Sequence, residues 1–271
     1  MIHIGDYIEK VINWMTENFS GLFDGINSGM SSIISGIESF WLWVPFWVTI
    51  ILFAGYAFWK VNKGTGALTL LGFLLIYYMG FWDETMETFS LVLASAIVAL
   101  VIGIPLGIWS AKSNTANSII RPILDFMQTM PAFVYLIPAV LFFGLGTVPG
   151  AFATIIFAMP PVVRLTSLGI KQVPGDIVEA TRAFGATSGQ LMFKVQLPLA
   201  MPTILAGVNQ TIMMALSMVV IASMIGAKGL GEIVLQGISQ LRIGLGFESG
   251  LAVVLLAIIL DRITQNFGKQ K

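Results

Sequence analysis

Apolar residues are grouped along the chain in seven stretches of 18 to 25 residues, each long enough for a helix to cross the hydrocarbon core of a bilayer. We predict spans at residues 41–59, 65–82, 88–110, 126–144, 149–166, 200–224 and 247–264. The short turn GLGTVPG separates the fourth span from the fifth, so these two should be antiparallel neighbours. The pattern predicts an all-α integral membrane protein.

Residues 6–40, ahead of the first span, follow a different pattern. Their apolar residues are spaced by three and four positions, which predicts one amphipathic helix or a pair of them. Gly21, Gly25 and Gly29 recur every fourth residue, a spacing that permits close helix approach. The polar face is acidic, unlike that of helices that seek anionic lipid. We therefore predict an N-terminal amphipathic scaffold helix, packed against a bundle of about seven transmembrane helices.

Composition agrees with this class and excludes several kinds of chemistry. The chain is 56% hydrophobic and 10% charged, whereas a soluble domain carries roughly 25% charged residues. There is no cysteine, and the single histidine, His3, lies at the N-terminus, so we expect no disulfide and no metal site. The net charge is zero, which argues against nucleic-acid binding. Early acidic residues, with no basic segment before an apolar one, argue against a cleaved signal peptide.

The distribution of Lys and Arg predicts the orientation of the chain, because cytoplasmic loops carry excess positive charge. With seven spans and the N-terminus outside, eleven of the 14 Lys and Arg residues fall on the cytoplasmic side and three fall outside. Acidic residues favour the outer side, as in WDETMET. We predict that the N-terminus is outside, that the C-terminus is cytoplasmic and that residues 167–198 lie in the cytoplasm.

Residues 175–198 interrupt the apolar pattern with a polar segment that has its own start and stop signals. An Asp-x-x-Glu pattern at Asp176 and a Thr-x-x-Gln pattern at Thr187 resemble capping boxes. Gly185 lies between them, where a helix often ends in a residue with positive φ. The segment predicts two short helices joined by a sharp turn. From these features alone, packing on its own bundle and docking to another protein are equally good interpretations.

The same segment resembles the EAA loop of ABC importer permeases. That pattern is Glu-Ala-Ala, three residues, Gly, nine residues, Ile, one residue and Leu-Pro; here Thr181 replaces the second Ala and Val195 replaces the Ile. In that family the loop is the coupling helix, which docks into a groove of a separate ATPase subunit. The resemblance implies an interface that includes Ile177, Glu179, Ala180, Phe184, Gly185, Leu197 and Pro198.

The resemblance extends over roughly residues 84–265. The segments PILDFMQTMPAFVYLIPAV, FAMPPVVRLTSLGIKQVP, ALSMVVIASMIGAKGLGEIV and LDRITQN look like those of the permease subunits of glycine betaine and proline betaine importers. The acidic N-terminal extension is also similar to theirs. The resemblance implies three regions: residues 1–83 with the scaffold helix and two peripheral spans, residues 84–265 as a type I importer core, and residues 266–271 as a cytoplasmic tail.

This resemblance implies a permease of the bacterial cell membrane that imports glycine betaine or a related quaternary-ammonium osmoprotectant. The implied partners are an ABC ATPase in two copies, a second permease copy and a separate extracellular substrate-binding protein. The chain has no Walker A pattern, to which GAKGLGE is the nearest approach. We therefore expect ATP and Mg on the partner ATPase, no cofactor on this chain, and a transport subunit rather than an enzyme, without a catalytic residue.

Polar side chains within the predicted spans are candidates for the transport pathway, since such side chains usually face the protein interior or a cavity. Together with nearby residues they give the set Gln128, Met130, Phe133, Asn209, Gln210 and Met213. Hydrogen bonding between helices is the commoner role for Asn209 and Gln210. Arg121 and Asp125 are four residues apart and could form an ion pair or a gate element, although anchoring at the interface is the better interpretation.

Two further segments have expected positions at the membrane boundary. Residues 226–244 are too polar and glycine-rich to face lipid, so we expect an outer loop with a short helix at about 230–240, close to the pathway or the binding protein. Five tryptophans lie at or near predicted span ends: Trp41, Trp43, Trp47, Trp59 and Trp82. We interpret them as interfacial anchors rather than as an aromatic cage for a betaine.

Three other functions are compatible with parts of the sequence. An ABC permease for choline, carnitine or an amino acid would share the coupling loop, so only substrate measurements separate it. A secondary transporter or channel would need no ATPase, but no predicted span has the central acidic residue or lysine that is common in ion-coupled carriers. A membrane enzyme would need a cluster of acid, base, nucleophile or metal ligands, which the sequence does not show.

Overall fold

A computed structural model describes residues 4–267 of the chain. His3 and the tail residues 268–271 lie outside the described residues. Within this range the secondary structure is helical, with no strand. The helices are α1 Ile4–Asn18, α2 Ser20–Trp43, α3 Phe46–Tyr56, α4 Lys63–Tyr78, α5 Trp82–Lys112, α6 Asn114–Thr129, α7 Leu136–Phe143, α8 Thr147–Lys171, α9 Gly175–Ala183, α10 Ser188–Leu191, α11 Leu197–Ser217, α12 Val219–Ser223, α13 Leu230–Ser239 and α14 Ile243–Phe267.

Four helical segments are long and apolar enough to cross a membrane: Trp82–Lys112, Thr147–Lys171, Ser188–Ser223 and Ile243–Asn266. Two bent pairs raise this number to six if each pair forms one span. In the first pair, α2 meets the continuous segment Phe46–Val61 at 98°. Helix α4 has 16 residues and is about 24 Å long, so it is shorter than the span predicted at 65–82.

The predicted fourth span, residues 126–144, is not a straight helix. Helix α6 ends at Thr129, and the chain then turns by 109° into a segment that runs from Ala132 to Phe143. Met130 is extended, with φ −71° and ψ 135°, because the ring of Pro131 disfavours a helical conformation for the residue before it. The apolar run is as long as expected, but the proline at its start changes its direction.

The N-terminal region is a pair of amphipathic helices, as the periodicity predicts. Met30 and Ile34 of α2 are buried in a cluster with Leu91 of α5 and Ile155 of α8, so α2 packs against the bundle. The glycines at 21, 25 and 29 do not mediate a close approach between helices. A β carbon at any of them would meet nothing within 4 Å among the residues that the structure describes, because these glycines lie on the exposed face of α2.

Helix α8 is the centre of the bundle and lies between α5 and α11. Small residues bring these helices together. A β carbon added at Gly107 of α5 would lie 2.7 Å from the carbonyl oxygen of Val163, and one at Gly207 of α11 would lie 3.1 Å from the Cα of Val162. Such backbone-to-backbone packing is typical of membrane helices that associate through van der Waals contact.

Candidate coupling segment and transport pathway

Residues 172–198, here called the coupling segment, connect α8 to α11 through α9 and α10. Helix α9 begins at Gly175, with Pro174 as its N-cap and without a capping hydrogen bond from a side chain. The capping box expected at Asp176 is therefore wrong. Pro174 already provides the extended backbone at which the helix starts, with φ −54° and ψ 132°. Asp176 falls in the first turn, where its negative charge favours the helix N-terminus.

The turn between α9 and α10 has the geometry that its sequence predicts. Gly185 has φ +81°, and its N–H donates to the carbonyl oxygen of Arg182 at 2.9 Å. The second capping box is confirmed: the Thr187 N–H donates to Gln190 Oε1 at 2.9 Å, and the Gln190 N–H donates to Thr187 Oγ1 at 3.3 Å. These bonds fix the angle between α9 and α10.

Helix α9 is exposed along most of its length. None of its nine residues is buried. Among the predicted coupling residues next to it, Phe184 exposes 93% of its surface and Ile177 exposes 39%, and Glu179 and Ala180 are exposed as well. Helix α9 is therefore not buried against its own bundle. An apolar helix face in water needs a covering surface.

The other end of the coupling segment is anchored in the bundle. Leu191 and Met192 are buried, and Met192 clusters with Ile170 at the end of α8. Leu197 packs against this cluster, whereas Pro198 is exposed at the start of α11. The predicted coupling residues thus form two groups, an exposed helix α9 with its turn and a partly buried base.

The six pathway candidates fall in two places rather than in one site. Gln128, Met130 and Phe133 lie at the bend between α6 and α7. Gln128 and Phe133 are exposed, and Met130 packs on the cluster around Tyr135. The other three are on α11, where Met213 packs against the main apolar core.

Asn209 bonds helix α11 to helix α14. Its side-chain amide donates to Asp261 Oδ1 at 3.0 Å, and its side-chain oxygen accepts a hydrogen bond from Thr264. Gln265 also donates to the Asp261 carboxylate, at 2.7 Å. Asn209 thus has the helix-linking role described above, and Asp261 is a polar residue that the sequence reasoning missed. Gln210 has no such role in the described contacts and lines an open cavity of about 360 Å³.

Asp125 forms an ion pair with a residue of another helix, not with the arginine four residues earlier on its own helix. Its carboxylate accepts a hydrogen bond from Arg164 of α8; it does not pair with Arg121, four residues earlier on the same helix. Both side chains of the pair are partly exposed, Arg164 by 41% and Asp125 by 55%. The pair is the single ion pair among residues 9–266, the part of the chain whose side chains the structure describes. It spans α6 and α8, next to the bend.

The chain has no arrangement suited to metal chemistry within its described part, where no group of three or more His, Cys, Asp or Glu side chains could hold an ion. The short helix predicted at about 230–240 is present as α13, Leu230–Ser239. The Leu230 N–H donates to Thr88 Oγ1 at 2.8 Å, which places α13 beside the start of α5. This is the end of the bundle opposite to the coupling segment, which lies near Lys112.

Comparison with known protein families identifies the class. Residues 103–270 match the family described as "Binding-protein-dependent transport system inner membrane component", and the chain belongs to this family. The protein is therefore a multi-pass inner-membrane component of an ABC transporter, a transport subunit rather than an enzyme.

Individual relatives with high sequence identity are permeases of glycine betaine transport systems. The chain is 53% identical over 270 residues to the glycine betaine transport system permease protein OpuAB of Bacillus subtilis, covering 100% of this chain and 96% of the relative. It is 51% identical to the glycine betaine/proline betaine permease ProW of Escherichia coli, over 99% of this chain and 76% of ProW. It is also 51% identical to the glycine betaine/carnitine permease GbuB of Listeria monocytogenes, over 99% of this chain and 96% of GbuB.

The fold has a counterpart among solved structures. A chain of the MetNI methionine ABC transporter, in a structure that describes inward-facing conformations, superposes with a TM-score of 0.58. The match covers 66% of this chain and 92% of that chain at 23% sequence identity. This similarity confirms the predicted type I ABC permease fold.

Proposed function

We propose that this chain is the permease subunit of an ATP-driven importer for glycine betaine or a related quaternary-ammonium solute, and that α9 and its turn couple it to the ATPase. The observation that carries the coupling assignment is the exposure of α9. This helix buries none of its residues and is followed directly by Phe184, which is 93% exposed and precedes the positive-φ residue Gly185. An apolar side chain held rigidly in water is suited to insert into a preformed groove.

The rest of the proposed assembly is what the family resemblance implies. Two permease copies form the pathway, each contacts one ATPase copy that holds ATP and Mg, and a separate extracellular protein delivers the solute. The chain is divided into residues 1–83 as the scaffold and peripheral region, 84–265 as the transport core and 266–271 as the tail. The N-terminus is outside and the C-terminus is cytoplasmic, as the distribution of Lys and Arg favours.

The substrate class is supported by the relatives. OpuAB, ProW and GbuB are named for glycine betaine, GbuB also for carnitine, and a relative 41% identical over 204 residues is named for trimethylamine N-oxide. These solutes share a methylated, positively charged nitrogen, which aromatic side chains attract by cation–π interaction. Carnitine or another solute of this kind is the alternative within the same class.

The test has two stages. The tagged chain is purified gently from its native membrane, and the proteins that remain bound are identified and counted. We expect an ATPase in equal copy number. The complex is then reconstituted in liposomes with the binding protein, and uptake of radiolabelled glycine betaine is compared with that of carnitine, choline and an amino acid.

The outcomes separate the alternatives. The proposal is supported by uptake that requires ATP and that saturates at a lower concentration of glycine betaine than of the other solutes. ATP-dependent uptake of a different solute keeps the coupling assignment and changes the substrate. Solute movement by the chain without any ATPase contradicts the proposal and favours a secondary transporter.

A further inference from the structure

The ion pair between Asp125 and Arg164 lies between the two candidate functional regions. Arg164 is on α8, seven residues before Lys171, where α8 ends and the coupling segment begins. Asp125 is on α6, five residues before Met130, where the chain bends. At the rise of an α-helix these separations are about 10 Å and about 7.5 Å. One contact therefore links the helix that leads to the coupling segment with the helix that leads to the bend.

Close apolar packing holds α6 to α8 on one side of this contact. Ala116, Ile120 and Leu124 of α6 are buried against Val162 and Val163 of α8. The ion pair lies at the margin of this apolar patch and is open to water. Exposed ion pairs contribute little to stability, because water and salt screen them. The pair is thus weak enough to break and reform in each transport cycle.

The charges around the ion pair change their balance when Asp125 and Arg164 separate. The pair lines a cavity of about 470 Å³, with Arg121 and Lys171 among the other lining residues. Asp125 is the one carboxylate in this lining, against three cationic side chains. Lys171 Nζ donates to Asn117 Oδ1 at 3.1 Å, so it has a partner on α6 as well. Separation of α6 from α8 would leave Arg164 and Lys171 on α8 without the carboxylate of Asp125, which would stay with Arg121 on α6.

We propose that Asp125 and Arg164 are positioning residues that close the coupling end of the pathway, and that their separation transmits movement of the coupling segment to the bend at Met130. The proposal rests on the function proposed above. When the ATPase displaces α9, the end of α8 moves with it and Arg164 is drawn from Asp125. Helix α6 is then free to rotate on its apolar contact, and the bend carries Gln128 and Phe133 with it. Neither member of the pair needs to touch the solute.

The first test removes the charges one at a time and then exchanges them. Asp125→Asn, Arg164→Gln and the double variant Asp125→Arg with Arg164→Asp are reconstituted with the ATPase and binding protein, and solute uptake per ATP hydrolysed is measured. We expect each single variant to lower this ratio by about fivefold or more, with ATP hydrolysis that no longer depends on the binding protein. The exchanged pair should recover about half of the lost coupling or more.

Arg121→Gln is the matched control, because it removes the same charge from the same cavity without touching the pair. It should keep the wild-type ratio within about twofold. Unchanged coupling in Arg164→Gln would overturn the proposal. So would an exchanged pair that assembles with the ATPase but recovers nothing, because the effect would then belong to individual side chains.

A second test asks whether the pair must separate. The chain has no cysteine, so Asp125→Cys with Arg164→Cys creates a unique reactive pair in the chain. A short bis-methanethiosulfonate reagent can bridge it: each thiolate displaces one methanesulfinate and forms a disulfide, which a reductant cleaves. We expect uptake to stop after bridging and to return after reduction. Uptake that continues at the unbridged rate would overturn the proposal. If the wild-type complex itself shows no ATP-driven uptake, the proposed function fails, which is a distinct result.

Discussion

Phe184 provides the sharpest test of the coupling segment. A Phe184 that docks into the ATPase predicts a large loss of affinity on truncation to alanine, whereas a Phe184 that stays in water predicts none. Its side chain is 93% exposed in the chain, so Phe184→Ala should change the stability of the isolated permease by less than about 0.5 kcal/mol. If Phe184 enters a groove of the ATPase, the same variant removes a buried aromatic side chain from the interface. Burial of a phenylalanine is worth about 1.5–3 kcal/mol.

That range corresponds to a loss of roughly 10- to 150-fold in affinity, at about 1.4 kcal/mol per factor of ten. The assay is titration of fluorescent ATPase against permease held in nanodiscs, with thermal unfolding of the permease alone measured in parallel. We expect a large increase in Kd and an unchanged midpoint of unfolding.

Phe247→Ala is the matched control. Phe247 is 72% exposed near the start of α14, at the end of the bundle opposite to the coupling segment, so its removal should leave Kd unchanged. An unchanged Kd for Phe184→Ala, or an equal increase for Phe247→Ala, would refute the argument that α9 is the docking helix.

Three further predictions concern backbone geometry and packing. Gly185→Ala should strain the turn by about 1–2 kcal/mol and reduce stimulated ATP hydrolysis in the complex, whereas Gly189→Ala, at a helical glycine with open space, should not. Asn209→Ala leaves Asp261 and Thr264 without a partner on α11 and should destabilise the permease by about 1–3 kcal/mol, measured by thermal unfolding; Gln210→Ala, at an exposed side chain, should be nearly neutral. Gly107→Ala places a β carbon 2.7 Å from a carbonyl oxygen of α8 and should cost about 1–3 kcal/mol, seen as lower yield and a lower unfolding temperature; an unchanged temperature would contradict the packing argument.

Local features of this chain are predictable from sequence because their causes are local. The capping box at Thr187 needs two side chains three residues apart, and the positive φ of Gly185 needs a residue without a β carbon. The amphipathic pair before the first span follows from the spacing of its apolar residues. In each case a few neighbouring residues determine the geometry.

Features that depend on distant residues were not predictable in the same way. The partner of Asp125 is 39 residues away on α8, and helical spacing alone suggests Arg121. The hydropathy of residues 126–144 predicts the length of this apolar stretch. It does not predict the bend within the stretch, which Pro131 causes. The acidic partner of Asn209 likewise lies 52 residues away, on a helix whose register relative to α11 only packing determines.

The tight packing of α8 restricts which parts of the bundle can move independently. A glycine on each flanking helix brings the backbone of α5 or α11 against α8, so sliding or rotating α8 alone would drive backbone atoms into one another. The three helices should therefore travel as one rigid body through the transport cycle. Among the elements that touch this body, we expect α6 and α7, with the bend between them, to take up most of the deformation. Distance measurements by spin labels should find α5–α8 separations constant while α6–α8 separations change with the nucleotide state.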